Sequence, residues 1–262
     1  MYDKLRSDYF VFGGVDSRRF HAYVFDKSTH DAGARVYNRI QIPGRSGDFV
    51  VDTRRVNNVV HEYQVIITDN YEKNLRGLRS ALLSLSGYQR LDDTFHKDEF
   101  YLAVFDTAIN IQSAKDDMGK CTISFNRKPQ RYLKSGTEEY IRDSELYDNP
   151  TEFANFSIYN STPFDCKPLI NVTGGGSIYL YPSHQDPTIF SGMEIDREDG
   201  DRTTIDCELM EAYDTDTGEG VNSKITTLIN GKWIYPYMRP GETYFNLSGL
   251  TYISIVPRWY MM

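Results

Sequence analysis

No apolar run in this 262-residue chain approaches the roughly 20 residues that a bilayer core demands, so a transmembrane helix is excluded. The start, "MYDKLRSDYFVFGG", carries charge where a signal peptide needs an apolar core, so Sec export is not expected. Cysteine is scarce. Cys121, Cys166 and Cys207 are odd in number and far apart, without the paired spacing of zinc or thioredoxin-type sites. They are expected to be reduced, buried, small apolar residues made in a cytoplasm. The N-x-Ser/Thr matches at Asn155, Asn160, Asn171 and Asn246 then have no glycosylation to report.

Catalytic patterns are missing too. The histidines, His21, His30, His61, His96 and His184, form no H-x-x-x-H and no triad-like spacing. Gly174-Gly175-Gly176 has no following Gly-Lys-Ser/Thr and no helix after it; a flexible turn before a strand is expected instead of a phosphate loop. Ser46 in "GRSG" is followed by a strand pattern, whereas a nucleophile elbow needs a helix there. "DREDGDRTTID" from Asp196 and "DTDTGEG" from Asp214 lack the Gly and Glu positions of a calcium loop and read as solvated hairpin tips. Asp92-Asp93 and Asp116-Asp117 read as carboxylates in polar loops; neighbours on a strand would face opposite ways and make no acid/base couple. The sequence therefore predicts no enzyme, no metal and no cofactor.

What is present is globular and strand-rich. Hydrophobic residues make up 40% and charged ones 25%, too apolar for disorder, and the 14% aromatic share favours strands and recognition surfaces. Charge divides the chain. Up to Ser135 there are 21 Lys and Arg against 17 Asp and Glu, a net of +4; from Gly136 there are 8 against 20, a net of −12. Two units are expected, 1–135 and 136–262. The first is too weakly basic for nucleic-acid recognition, and the second would repel DNA and anionic membranes.

"DYFVFGGVDSRRFHAYVF" reads as two strands around Gly13-Gly14. "ARVYNRIQIPGRSGDFVVDTRRVNNVVHEYQVIITD" reads as strand, turn, strand, with Val59, Tyr63, Val65 and Ile67 alternating. "FYLAVFDTAINIQSA" and "MGKCTISFNRKP" form an antiparallel pair that Pro129 terminates. Before that pair Leu75, Leu78, Leu82 and Leu85 make one helical stripe, capped by Asp69 or Asn70 and ended near Gly87. Beyond Gly136 short strands recur at sandwich spacing, with Asp199-Gly200 and Asn230-Gly231 as hairpin signals.

The order of these motifs resembles the distal tail protein family of long-tailed, non-contractile phages. The likeness is carried by "FVFGGVDSRRF", "IPGRSGDFVVD", the stretch from "YQVIITD" to "FYLAVF", and "SFNRKPQRYL". "NPTEF", "CKPLINVTGGGSIYL", "IDCELMEAYD" and "ISIVPRWY" extend it through the second half. It implies a mainly β protein: an N-terminal β-sandwich with one α-helix and a projecting hairpin, then a C-terminal galectin-like β-sandwich. It also implies a homo-hexameric ring at the tail tip, placed in the virion after synthesis in the bacterial host cytoplasm, from a phage or prophage gene. Its neighbours would be the tail tube, tape-measure, tail-associated lysin and receptor-binding proteins, with DNA passing through the ring without sequence-specific contact. The family's large loop insertion in the second domain is absent, so an added carbohydrate-binding module is not expected.

Under that reading Pro43, Gly44, Arg45 and Gly47 shape a hairpin that reaches the next subunit. An ordinary exposed turn within one subunit is the alternative. A carbohydrate-binding adhesion module is the competing function. It would want Trp or Tyr flanked by Asn, His and Arg on one sheet, and neither Trp233 nor Trp259 shows such company in the sequence.

Overall fold

Alternation along Val59–Ile67 shows how the first half is built. Val59, His61, Tyr63, Val65 and Ile67 are buried while the residues between them face outward. The computed structural model describes residues 7–27, 32–115, 117–182, 191–227 and 235–262. The chain divides into two units, Met1–Arg131 with Met262, and Tyr132–Met261. His30, Asp116, His184, Asn230-Gly231 and Trp233 lie outside the described residues.

In the first unit one antiparallel sheet runs, in spatial order, through Val15–Asp16, Phe10–Phe12, Gln89–Asp93, Glu99–Val104, Met118–Arg127, Val59–Ile67 and Ala22–Lys27. Asn110–Lys115 also pairs with Met118–Arg127. Phe10 lies near one end of that order and Tyr63 near the other, yet their rings stack at 5.3 Å. The sheet therefore curls over on itself into a sandwich, and Phe125 sits edge-on to Phe10 at 5.4 Å inside the fold. A backbone bond from Val24 to Asp8 ties the two ends together.

The helix spans Tyr71–Leu83 and buries Leu78 and Leu82, with Leu75 and Leu85 at the margin of the core. Its cap differs from expectation. Asn70 occupies the capping position in a left-handed conformation and makes no side-chain cap bond; the Asn74 amide instead donates to the Asp69 carbonyl at 2.6 Å. Gly87 is left-handed as expected, but the helix has already closed at Ser84. The opening segment also differs. Ala22–Lys27 does not pair with the strands around Gly13-Gly14, because the turn Ser17–Phe20 carries the chain across to Val59–Ile67.

The second unit is a two-sheet sandwich. One sheet orders Tyr140–Asp143, Tyr252–Val256, Leu169–Thr173, Arg202–Asp206 and Glu211–Asp214. The other orders Asn155–Asn160, Gly241–Ser248, Gly176–Tyr181, Ser191–Ile195 and Ile225–Thr227. Ile170, Ile205 and Ile253 from the first meet Ile178, Leu180 and Phe245 from the second in one core. Trp259 belongs to that core, and Gly136 leaves room for its backbone. A short helix unforeseen in the sequence, Pro150–Ala154, starts at Asn149, whose side chain accepts from the Thr151 N–H at 3.0 Å.

Two expected turns are crossings between the sheets. Gly174–Gly176 links a strand of one sheet to a strand of the other, and so does Asp199-Gly200. The triple glycine is not a flexible turn. A Cβ on Gly175 would fall 2.2 Å from the Arg197 carbonyl oxygen, and one on Gly176 would fall 2.0 Å from that of Ser248. Three backbone segments converge where any side chain would separate them. Gly176→Ala should therefore cost about 3 kcal/mol by overpacking. Gly218→Ala, at a left-handed position in open space, should cost only about 1–2 kcal/mol. Urea unfolding of both variants checks the difference; equal costs would mean that the crossing relaxes freely.

Candidate assembly interface

The segment around "IPGRSG" forms a two-stranded sheet of its own, separate from the first unit's large sheet. Arg35–Ile40 and Phe49–Val56 pair with each other and, among the described residues, with no other strand. At the corner the Arg45 N–H donates to the Ile42 carbonyl at 3.1 Å, closing a four-residue turn around Pro43 and Gly44. Proline supplies the fixed φ at the first central position, and Gly44 takes φ 79° at the second, as a type II turn requires. Gly47 follows at φ 85°, and the corner encloses an open hollow lined by Gln41, Ile42, Pro43, Arg45, Gly47 and Asp48. The structure thus brings Pro43, Gly44, Arg45 and Gly47 together at the hairpin's tip. The Arg45 side chain makes no ion pair among the described residues.

No residue from Arg35 to Val56 is buried. Pairing places Ile40 beside Phe49 and Asn38 beside Val51 on one face, with Arg39 beside Val50 and Tyr37 beside Asp52 on the other. Ile40 is 51% exposed, Phe49 48% and Val50 52%, so apolar side chains meet solvent on both faces. A lone two-stranded hairpin is marginal in water, and this one buries no face to steady it.

The hairpin's root is better held. A bulge breaks the register between Arg35 and Tyr37, with Arg54 left-handed at φ 58° opposite it. Asp52 accepts from the Arg54 N–H at 2.8 Å and from Arg35 at 3.1 Å, while Thr53 Oγ1 donates to the Val36 carbonyl. Gly33 passes so close to Asn57 that a Cβ would lie 2.4 Å from its carbonyl oxygen.

Several of the described polar residues considered for chemistry make internal contacts. Asp92 and Asp93 lie on a strand, not in a loop. Asp92 faces out to Arg90, whereas the Asp93 side chain is fully buried. The Tyr63 hydroxyl donates to Asp93 at 2.7 Å, the backbone N–H groups of Phe95 and His96 donate at 2.8 and 2.7 Å, and His96 Nδ1 stands 3.0 Å from both oxygens. Burial opposes ionisation of Asp93, but the bonds from His96 and Tyr63 outweigh it and hold the carboxyl at about 2. His61 packs edge-on against Tyr63 at 4.7 Å, and exposed His21 reaches toward Asp69 at 3.9 Å. The acidic turns of the second unit gather around Arg197, which pairs with Asp214 and, at 3.2 Å, with Asp201. All three cysteines are free and buried, and burial pushes each thiol up, Cys121 and Cys166 to about 12. The Asp93 network was invisible in the sequence because its members are brought together only by strand pairing and one tight turn.

Seven chains of solved structures match this fold. One is the crystal structure of SPP1 Dit, described as a paradigm of the hub adsorption apparatus in phages infecting Gram-positive bacteria. It superposes with a TM-score of 0.67, covering 97% of this chain and 99% of its own, at 14% sequence identity. The chain has the fold of SPP1 Dit. No protein-family model and no curated protein matches the sequence. At such low identity the likeness to SPP1 Dit establishes the mainly β fold alone.

The Asp93 network sets an acid limit on the first unit. A carboxyl held at about 2 when folded against 3.8 otherwise contributes stability above pH 4 that is lost as pH falls towards 2. The contribution is on the order of 2–3 kcal/mol. Asp93→Asn should lower stability at neutral pH by about that amount and flatten its decline between pH 4 and 2. Denaturant titrations at several pH values check this; an unchanged acid slope would assign the decline to other carboxylates.

Proposed function

We propose that the chain is a distal tail protein, the hub at the tip of a long-tailed phage, and that its first domain forms a homo-hexameric ring. The observation that carries the reading is the hairpin arm, apolar on both faces and buried against nothing, on a chain with the fold of a phage hub protein. A cyclic ring needs a heterologous contact, one surface of a subunit against a different surface of the next. The arm supplies one such surface, with Pro43, Gly44, Arg45 and Gly47 setting its tip. Arg45, exposed and unpaired among the described residues, would meet a carboxylate or carbonyl of the neighbour.

Residues 1–135 are the ring-forming domain in this reading, and 136–262 a galectin-like domain. Charge favours the division. Six domains at −12 repel at short range, more so at low salt, and belong away from the ring's contacts; near-neutral first domains can pack. The ring would join the tail tube to the tail-associated lysin and receptor-binding apparatus, beside the tape-measure protein, in the virion's tail tip. Its role is structural and not catalytic, since the carboxylates, histidines and thiols described above serve packing and internal hydrogen bonds.

The arm gives the test. A variant in which Asn-Gly replaces Pro43–Gly47 should keep its thermal melt and lose the ring in sedimentation and negative-stain images. Arg45→Ala should leave folding intact and weaken assembly, because a charged hydrogen bond is worth about 1.5–3 kcal/mol and recurs at every interface. Gly44→Val and Gly47→Val should each distort the corner at a cost of about 1–3 kcal/mol, since a β-branched residue at positive φ is strongly disfavoured. An intact ring in the deletion variant would make the corner an intramolecular turn. A wild type that stays monomeric with the lysin partner present would remove the hexamer.

A further inference from the structure

The second unit's sheet that starts with Asn155–Asn160 turns one face to the core and one to solvent. Ile158, Phe245, Leu180 and Met193 point inward, so the residues between them form the outer face. Pairing sets the order of that face. Ser157, Tyr244 and Tyr181 form one row, and Asn155, Asn246, Tyr179 and Gly192 the next. Tyr159 stands beside Glu242 at one margin, and Ser177 beside Glu194 at the other. The face is built largely of tyrosine, serine and asparagine. Among the described residues of its strands, no outward position is aliphatic and none is Lys or Arg.

Such a composition can recognise a protein without an aliphatic groove. Tyrosine offers a large, stiff ring with few rotatable bonds, while serine and asparagine supply adaptable hydrogen bonds. Tyrosine is also enriched at protein interfaces and at the residues that dominate their energy. Two of the rings are set beforehand. The Tyr179 hydroxyl donates to Glu194 at 3.1 Å and that of Tyr244 to Glu242 at 2.8 Å, with Ser157 on the other oxygen of Glu242 at 2.7 Å. Gly192 leaves room for the Tyr179 ring, since a Cβ there would fall 2.9 Å from its Cδ1. Ordering before binding lowers the entropy that association costs. Other groups stay open: the hydroxyls of Tyr159 and Tyr181 and the second oxygen of Glu194 make no hydrogen bond among the described residues.

Charge selects the kind of partner. Glu194 and Glu242 stand on a face without cations, in a half of the chain with net charge −12. Phosphorylated polymers and a second copy of the same face would both be repelled. A guanidinium suits the face, because it stacks over a tyrosine ring and pairs its N–H fork with a carboxylate. Lysine lacks that planar fork and satisfies the site less well. Size narrows the partner further. At about 3.4 Å per residue and about 4.8 Å between strands, the face measures roughly 20 Å each way, room for one segment of chain and not for a whole domain. We propose that this face docks an arginine-bearing segment of another protein, with Tyr159, Tyr179, Tyr181 and Tyr244 stacking on its side chains and Glu194 and Glu242 pairing with its charge. The inference uses the sheet face alone and is independent of the ring.

The probes are labelled decapeptides that alternate serine with arginine, lysine or glutamate, titrated by fluorescence anisotropy into the full chain. The arginine peptide should bind several-fold more tightly than the lysine peptide, and the glutamate peptide should not bind. Tyr159 is 66% exposed, so Tyr159→Ala should weaken the arginine peptide several-fold at an unchanged thermal melt, whereas Tyr159→Phe keeps the ring and should not. Tyr179→Ala combined with Tyr244→Ala should weaken it at least tenfold, and Glu194→Gln several-fold. Equal binding of the arginine and lysine peptides would mean bulk attraction to an acidic chain and would overturn the proposal. Arginine-peptide binding untouched by these substitutions, or no binding at all, would do so too. Neutral oligosaccharides of glucose and galactose are titrated in parallel; saturable binding lost in Tyr159→Ala, with no peptide bound, would give the face to a sugar instead. Self-association abolished by Tyr159→Ala would give it to a second copy, again against the proposal. Sedimentation of the same variants reads the ring separately from peptide binding.

Discussion

The first unit depends on one junction, the stacking of Phe10 on Tyr63 with the Tyr63 hydroxyl bonded to buried Asp93. Phe10–Phe12 and Gln89–Asp93 lie towards one end of the sheet, and Val59–Ile67 lies towards the other. An open sheet of this size would twist without closing. Here the aromatic pair brings the ends face to face, and the hydroxyl–carboxylate bond fixes their offset. A buried carboxylate that lost its partners would be costly, so the junction forms whole or not at all. The same strand that carries Tyr63 receives the hairpin arm after only Asn57 and Asn58. Closure of the sandwich therefore also sets the direction in which the arm leaves it.

The arm inverts the logic of the core. Its sequence has the β-branched and aromatic content of a buried strand pair, yet the described residues of its unit cover neither face. Turn chemistry at Pro43-Gly44 and the bulge beside Arg54 fix its register without burial. Under the proposed assembly, this hydrophobic burial would be gained on association instead of during folding. In a closed ring that gain repeats at each interface, so a modest free energy per contact is amplified in the assembly. The electrostatic condition is met by the same sequence, because the strong negative charge is confined to the second half.

Much of this was legible in the sequence where the pattern is local. The leucine stripe of the helix, the alternation from Val59 to Ile67 and the Pro-Gly corner each follow from residues within a few positions of one another. What escaped was relational. Gly174–Gly176 looks flexible until Arg197 and Ser248 are found pressed against it. Asp199-Gly200 carries a hairpin signal but joins strands of different sheets, because a turn residue specifies the bend and not the destination. Asp93 reads as a loop carboxylate until Tyr63, distant in sequence, places a hydroxyl on it. The tyrosine face is the clearest case: Tyr159, Tyr179, Tyr181 and Tyr244 lie on three strands, and only the pairing register puts them side by side.

Most cations of the second unit that the structure describes are engaged in pairs or over aromatic rings. Arg258 makes a bidentate pair with Asp206, both bonds 2.8 Å. Arg197 holds two acidic turns together, Arg202 pairs with Asp216, and Lys224 with Asp196. Arg142 lies over the rings of Tyr147 and Phe156. With 8 Lys and Arg against 20 carboxylates from Gly136 onward, few cations remain once these turns and strand ends are neutralised. An exposed sheet face in such a unit must be polar without being basic, and tyrosine adds contact area without adding charge. In the proposed ring, the same imbalance would make copies of the second unit repel one another at close range.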